Sequence, residues 1–162
     1  MPAMMSQKSV SDRQTLIPYL RLWIGKKCSD IIRHEHSWVF QFGDAGAVTV
    51  ECPWRIIADN RIALTDSDDR QKFGLPAPVD ALAMSRTLLS NRLVSEVTIA
   101  EVSGDLRVLF EDQTLLELIN NSSGYEAWQA AMHDSIQNIL IIAQGGGQIS
   151  IFQQSTKSDP GP

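Results

Sequence analysis

Hydrophobic and polar residues alternate with a period of two over much of this chain, most clearly between Trp38 and Cys52. Trp38, Phe40 and Phe42 fall on one side of an extended segment and Val39 and Gln41 on the other, the spacing of a strand with one buried face. Gly43-Asp44-Ala45-Gly46 supplies turn residues. Val48, Val50 and Cys52 then alternate with Thr49 and Glu51, which predicts a β-hairpin. Pro53 has no amide to donate and ends the ladder. A preceding strand is predicted over 28–35, and the residues after Trp54, RIIADNRIALT, read as another hairpin with Asp59-Asn60 at its tip.

Helical spacing is confined to short stretches. Pro18 suits the first turn of a short helix in which Leu20, Trp23 and Ile24 share the buried face, and Gly25 stops it. Residues 66–78, with their charges, glycine and prolines, form the longest predicted loop and divide the chain. Leu82, Ser85, Leu88 and Leu89 then recur at helical spacing between Pro78 and Ser90. LVSEVTIAEV, DLRVLFED and TLLELIN follow as a three-strand meander. Ser123 followed by Glu126 has the form of a capping box, which predicts a helix over GYEAWQAAMHDS with Tyr125, Trp128 and Met132 on one face. NILIIAQ and QISIFQQ flank Gly145-Gly146-Gly147 as a final hairpin. Residues 1–11 and 154–162 have no periodic pattern and are expected to be disordered, leaving a single domain over 12–153.

The two halves echo each other. At an offset of 66, Leu22 aligns with Leu88, Asp30 with Glu96, Ile31 with Val97 and Glu35 with Glu101. After a two-residue insertion the offset becomes 68, and Trp38, Phe40, Phe42, Val48 and Val50 fall on Leu106, Val108, Phe110, Leu116 and Leu118. Ile56-Ile57-Ala58 matches Ile141-Ile142-Ala143 at an offset of 85. This pattern predicts an α+β fold of about ten mainly antiparallel strands and two to three short helices, in two pseudo-twofold related units spanning roughly 16–65 and 79–153.

The segments LxxWIGKKCSDI, WVFQFGD, VTVECPWRI, DLRVLFED, SSGYEAW and IIAQGGGQISIF together resemble an uncharacterised family of small bacterial proteins with a duplicated β-rich layout. The resemblance covers the chain from about Leu16 to Phe152. Some members with a similar Tyr-Glu-Xaa-Trp segment look like immunity proteins for bacterial toxins. That implies a protein partner and carries no functional residue across.

Composition narrows the classes. The 162 residues are 43% hydrophobic and 20% charged, with a formal net charge of −5, as in a globular domain. Lys and Arg are scattered, which argues against nucleic acid as a partner. No apolar run reaches signal-peptide or membrane-spanning length, so a cytoplasmic protein without a membrane partner is expected. Cys28 and Cys52 suit a reducing compartment, with a cross-strand disulfide as the alternative.

Few residues suggest chemistry. His34 and His36, two apart in or beside a strand, are candidates for a metal site, against the plainer reading of polar residues at a strand end. Asp66, Asp68 and Asp69 lack the glycine and glutamate that a calcium loop places at its sixth and twelfth positions. Gly145–Gly147 opens no helix, which fits a turn better than a phosphate cradle. No catalytic set and no cofactor site is read from the chain. Trp54 and Arg55, with Tyr125, Glu126 and Trp128, are the candidate recognition surface, since Trp, Tyr and Arg are frequent binding hot spots. The competing reading makes both tryptophans core plugs. The expectation is a non-enzymatic protein-interaction module, immunity-type or self-associating as a homodimer. The alternative is a small-molecule or metal-binding domain, or a minor enzyme, with its site at the seam between the repeats.

Overall fold

Two antiparallel sheets enclose one core. The computed structural model describes residues 6–155 and contains twelve strands among them. They are β1 (Ser6–Val10), β2 (Asp30–Arg33), β3 (Trp38–Gln41), β4 (Gly46–Val50), β5 (Trp54–Ala58) and β6 (Arg61–Thr65). After these come β7 (Val94–Ile99), β8 (Leu106–Phe110), β9 (Leu115–Leu118), β10 (Trp128–His133), β11 (Gln137–Ala143) and β12 (Ile149–Ser155). One sheet runs β1-β12-β11-β10-β4-β3-β2 and the other β6-β5-β9-β8-β7. The fold is therefore β-rich and more dominated by sheet than the expected ten-strand α+β arrangement.

Period-two alternation supplies the inner faces. Phe40, Val48, Val50, Trp128, Ala130, Met132, Ile139 and Ile141 of the larger sheet belong to one buried cluster with Trp54, Ile56, Val97, Leu106, Val108 and Leu116 of the smaller. Side chains of this size contribute about 1.5–3 kcal/mol each when fully buried. Asp59 and Asn60 take left-handed φ values of 52° and 59°, which gives the β5–β6 hairpin a turn matching the strand twist.

The connectivity is reciprocal. Strands β2-β3-β4 lie in the larger sheet, and the chain then crosses over to place the β5–β6 hairpin in the smaller. Strands β7-β8-β9 lie in the smaller sheet, and β10–β11 crosses to the larger. Trp54 pairs with Leu118 on β9, while Trp128 pairs with Val50 on β4, so β5 and β10 hold the same register on their partners. That register sets Ile56 against Leu116 and Ala130 against Val48, which corrects the alignment of Ile56–Ala58 with Ile141–Ala143: the latter trio lies on β11, one strand later.

Two α-helices accompany the sheets. α1 (Ile17–Leu20) is extended by 3-10 turns over Arg13–Leu16 and Arg21–Trp23. It buries Leu16, Leu20 and Trp23, while Ile24 beyond it is exposed and not on the buried face. α2 (Ala81–Leu89) is capped by Asp80, whose Oδ1 accepts the Ala83 N–H at 3.0 Å, and it packs against β2 and β6.

The third predicted helix is a strand. Trp128, Ala130 and Met132 are buried with period two because β10 sits between β4 and β11 in the middle of the larger sheet. The Ser123–Glu126 capping box does not form. The Ser122 hydroxyl instead accepts the Gly124 and Tyr125 N–H groups, and the Glu126 carboxylate receives the Gln129 side-chain amide. The expected loose stretch 1–11 is also corrected in part, since Ser6–Val10 pairs with β12. β12 runs through Ser155, and residues 1–5 and 156–162 lie outside the described residues.

Candidate functional site

The expected recognition surface does not assemble as one patch. Trp54 and Trp128 are both 1% exposed and point into the core, as the competing reading holds. Trp54 packs edge-on against Trp38 and Phe40, at ring separations of 5.0 and 5.5 Å. Arg55, next along β5, faces outward on the smaller sheet, where the Glu117 carboxylate accepts from both Arg55 and Arg107. Tyr125 is 84% exposed, in the connection between β9 and β10, with Glu126 half-buried beside it. His34 and His36 are exposed in the turn between β2 and β3, so no strand parity aligns them. Among the described residues no group of three or more His, Cys, Asp or Glu side chains is placed to hold a metal. Both cysteines are free, and burial pushes each thiol up to about 12.

What does assemble is a cleft at the seam of the sheets. It has a volume of about 720 Å³ and is bounded by the β2–β3 turn His34–Ser37, by Trp38 and the sheet crossing Val50–Cys52, and by the segment after β6 that carries Asp66 and Arg70. A smaller hollow of about 310 Å³ continues it past His36, Glu51 and Cys52 to Tyr125 and Glu126. The groove thus unites His34 and His36 with Tyr125 and Glu126, which the sequence analysis treated as separate candidates.

Charge in the groove is unevenly committed. Asp69 binds Arg33 and accepts the Ala81 N–H, and Arg70, largely exposed, lies 3.9 Å from it through Nε. Arg33 also sits 6.0 Å above the Trp38 ring. Asp66, Glu51 and Glu35 remain, together with Glu126 in the continuation. Asp66 accepts the Trp54 backbone N–H at 3.2 Å, yet partial burial still raises its carboxyl above the usual carboxylate value. Cys52 also lines the cleft, and burial pushes its thiol up, away from the thiolate form.

The corresponding place at the other seam is shut, and one of its residues, Asn120, also borders the smaller hollow. There the β7–β8 turn reaches the second tryptophan, whose Nε1 donates to the Gly104 carbonyl at 3.0 Å. The Arg13 guanidinium fills the gap, donating to the carbonyls of Val10 at 2.8 Å, Gly147 at 2.6 Å, Glu101 at 3.3 Å and Ala100 at 3.5 Å. Asn120 ties the two walls together through Nδ2, which donates to Ser103 O and Gln144 O at 3.0 and 3.1 Å. Gly147, at φ +86°, sits so close that a Cβ would lie 2.0 Å from the Val102 carbonyl oxygen.

Each closing device has a weaker counterpart at the open end. Trp54 Nε1 is buried with no hydrogen-bond partner among the described residues. The register that equates Val50 with Leu118 puts Cys52 where Asn120 stands, and a thiol cannot span two carbonyls. The 66-residue offset puts Val79 where Arg13 stands, beside Arg70, whose N–H donates to Val79 O at 2.8 Å. The β2–β3 turn is two residues shorter than its counterpart, so it does not supply what Gly104 supplies. That length difference was visible in the sequence as the change of offset from 66 to 68, and it is the signal that marks the site.

Compared with family models, curated protein sequences and solved structures, the chain finds no match. The functional reading therefore rests on the geometry of the groove. No helix among the described residues is long and apolar enough to cross a membrane.

Proposed function

We propose that this protein is a non-enzymatic recognition module that binds a protein partner in the open seam cleft. The observation that carries this reading is the contrast between the seams: one is closed by a carbonyl, a guanidinium and an amide, while the other keeps a cleft of about 720 Å³ whose wall residue Trp38 packs on Trp54, a buried indole with no partner for its Nε1 among the described residues. Buried polar groups are nearly always satisfied, so an orphaned one calls for a physical explanation; a second orphan, Asn120 Oδ1, belongs to the closed seam and borders the hollow that continues the cleft. The exposed Tyr125 on the rim supports a protein surface as the counterpart, since aromatic side chains anchor interfaces with little entropy loss. An immunity-type inhibitor is one form of this reading, and a second copy of the chain is another. The cleft volume also falls in the range of small-molecule sites, so the runner-up keeps the same location and replaces the partner by a small ligand. We further infer that the chain arose by duplication of a unit made of a helix, a three-strand meander and a crossing hairpin, with binding retained at one seam only.

A photo-crosslinking amino acid at Ser67, beside the cleft, tests the location. The same group at Thr87, on the exposed side of α2, is the control. In native cells the Ser67 position is expected to give a discrete adduct that Thr87 does not, and Ser37→Trp, which fills the cleft, is expected to abolish it. Identical products from both positions, or an adduct indifferent to Ser37→Trp, would overturn the reading.

A further inference from the structure

The closed seam is an internal template for what the open one accepts. We propose that the cleft is a receptor for an arginine-bearing peptide segment, which supplies from outside what Arg13 and Gly104 supply from within at the other end; this rests on the cleft being the binding site.

Three observations converge on that chemistry. The first is the position of the gap. Arg13 spans from the β7–β8 turn, at Ala100 and Glu101, to Gly147 in the segment after β11. The open cleft lies between the same two structures of the first half, the β2–β3 turn and the segment after β6, and the residue aligned with Arg13 is the shorter, uncharged Val79. The second is the Trp54 indole. It is buried edge-on against Trp38, which lines the cleft, and its Nε1 requires an acceptor. A peptide carbonyl satisfies the equivalent Nε1 of Trp128.

The third is electrostatic. Asp69 pairs with Arg33 and lies 3.9 Å from the largely exposed Arg70, so the four carboxylates of the cleft, Asp69, Asp66, Glu51 and Glu35, outnumber its two arginines; Glu35 has His36 Nε2 at 3.7 Å. A guanidinium is planar, always charged and forks onto carboxylates, which matches a cleft lined by Glu35, Glu51, Asp66 and Asp69. The closed end satisfies its arginine with carbonyls alone, so the open end, with its carboxylates, holds a cation more strongly than an uncharged side chain of similar shape. An acidic ligand would meet this excess of carboxylates and is disfavoured.

Titration of the full-length protein with three probes tests the inference, read from the tryptophan indole N–H signals and assigned by Trp54→Phe and Trp128→Phe. The probes are a capped Gly-Arg-Gly peptide, the same peptide with neutral citrulline for arginine, and methylguanidinium alone. The arginine peptide is expected to move the Trp54 indole signal saturably and leave that of Trp128 in place. Citrulline, or Asp66→Asn, is expected to weaken binding by about tenfold, the scale of one charge-assisted hydrogen bond. Asp66→Asn keeps an oxygen for the Trp54 backbone N–H, so it is expected to fold. Methylguanidinium, which brings no carbonyl, is expected to leave the Trp54 indole signal in place and is read by competition, displacing the arginine peptide only at much higher concentration.

Equal binding of the arginine and citrulline peptides would overturn the guanidinium assignment while leaving the cleft as a site. Methylguanidinium binding as tightly as the peptide would overturn the peptide in favour of a small guanidine. No saturable change with any probe would overturn the inference outright, whatever the crosslinking shows.

Discussion

The two seams of this molecule share strand order and register, and they differ in a handful of side chains and two residues of turn. Around Trp128 the chain supplies an acceptor for the buried indole and bonds that tie the two converging walls, while the Asn120 Oδ1 there stays buried without a hydrogen-bond partner among the described residues. Around Trp54 it provides the aromatic packing and stops there. The same scaffold is thus closed at one seam and open at the other. A site of this kind needs no special fold, only the omission of groups that the fold elsewhere shows to be necessary.

Substitutions can break that contrast from either side. The largest effect is expected from Gly147→Ala, since a Cβ there lies 2.0 Å from a backbone oxygen at a φ of +86°. Denaturant unfolding should register a loss of about 3 kcal/mol or more. At Arg70, in the segment after β6 at the open cleft, a side chain already stands at φ +66°, so Arg70→Gly should be close to neutral in the same assay. Arg13→Met removes the guanidinium that fills the closed seam. It should cost about 2 kcal/mol through its stranded carbonyls and make the β7–β8 turn exchange amide hydrogens faster.

Trp128→Phe should cost about 1–2 kcal/mol more than Trp54→Phe, because only the first strands a hydrogen-bond acceptor. Equal losses in a paired thermal denaturation would mean that the Trp54 indole is satisfied after all, and the contrast would fail. The smallest effect concerns Asp66. Burial raises its carboxyl above 3.8, so the folded protein holds that proton more tightly than the unfolded chain. Stability contributed by the protonated form is lost as pH rises from that value through the raised one. Asp66→Asn should therefore stabilise at neutral pH by about 0.5 kcal/mol or less, given its partial exposure to solvent. The gain should vanish in melts run well below pH 3.8.

The strands were legible where one face is apolar and the other polar, as from Trp38 to Cys52, and where turn residues mark hairpin tips, as at Asp59-Asn60. The error at β10 has a physical source. Tyr125, Trp128 and Met132 satisfy a helical repeat, and the intervening Glu, Gln and Ala residues favour helix. Yet Trp128, Ala130 and Met132 also satisfy a period of two, and pairing with β4 and β11 on both edges decided the matter. The site was less legible because its walls come from four separate stretches, each ordinary alone. Asp66 read as a solvated acidic loop, His34 and His36 as a weak metal pair, and Tyr125 as part of a helix. Only the two-residue change of offset belonged to the site as such, and its meaning depends on what the longer turn touches.

The reciprocal crossing has a consequence for how the chain holds together. β5 pairs with β9, β10 with β4, and β1 with β12, so three of its strand ladders join the segment before the loop at 71–78 to the segment after it. All eight residues of that loop are exposed. A protease that nicks the backbone there would cut the covalent thread without parting the molecule, and the two fragments, produced separately, would be expected to reconstitute the whole by complementation.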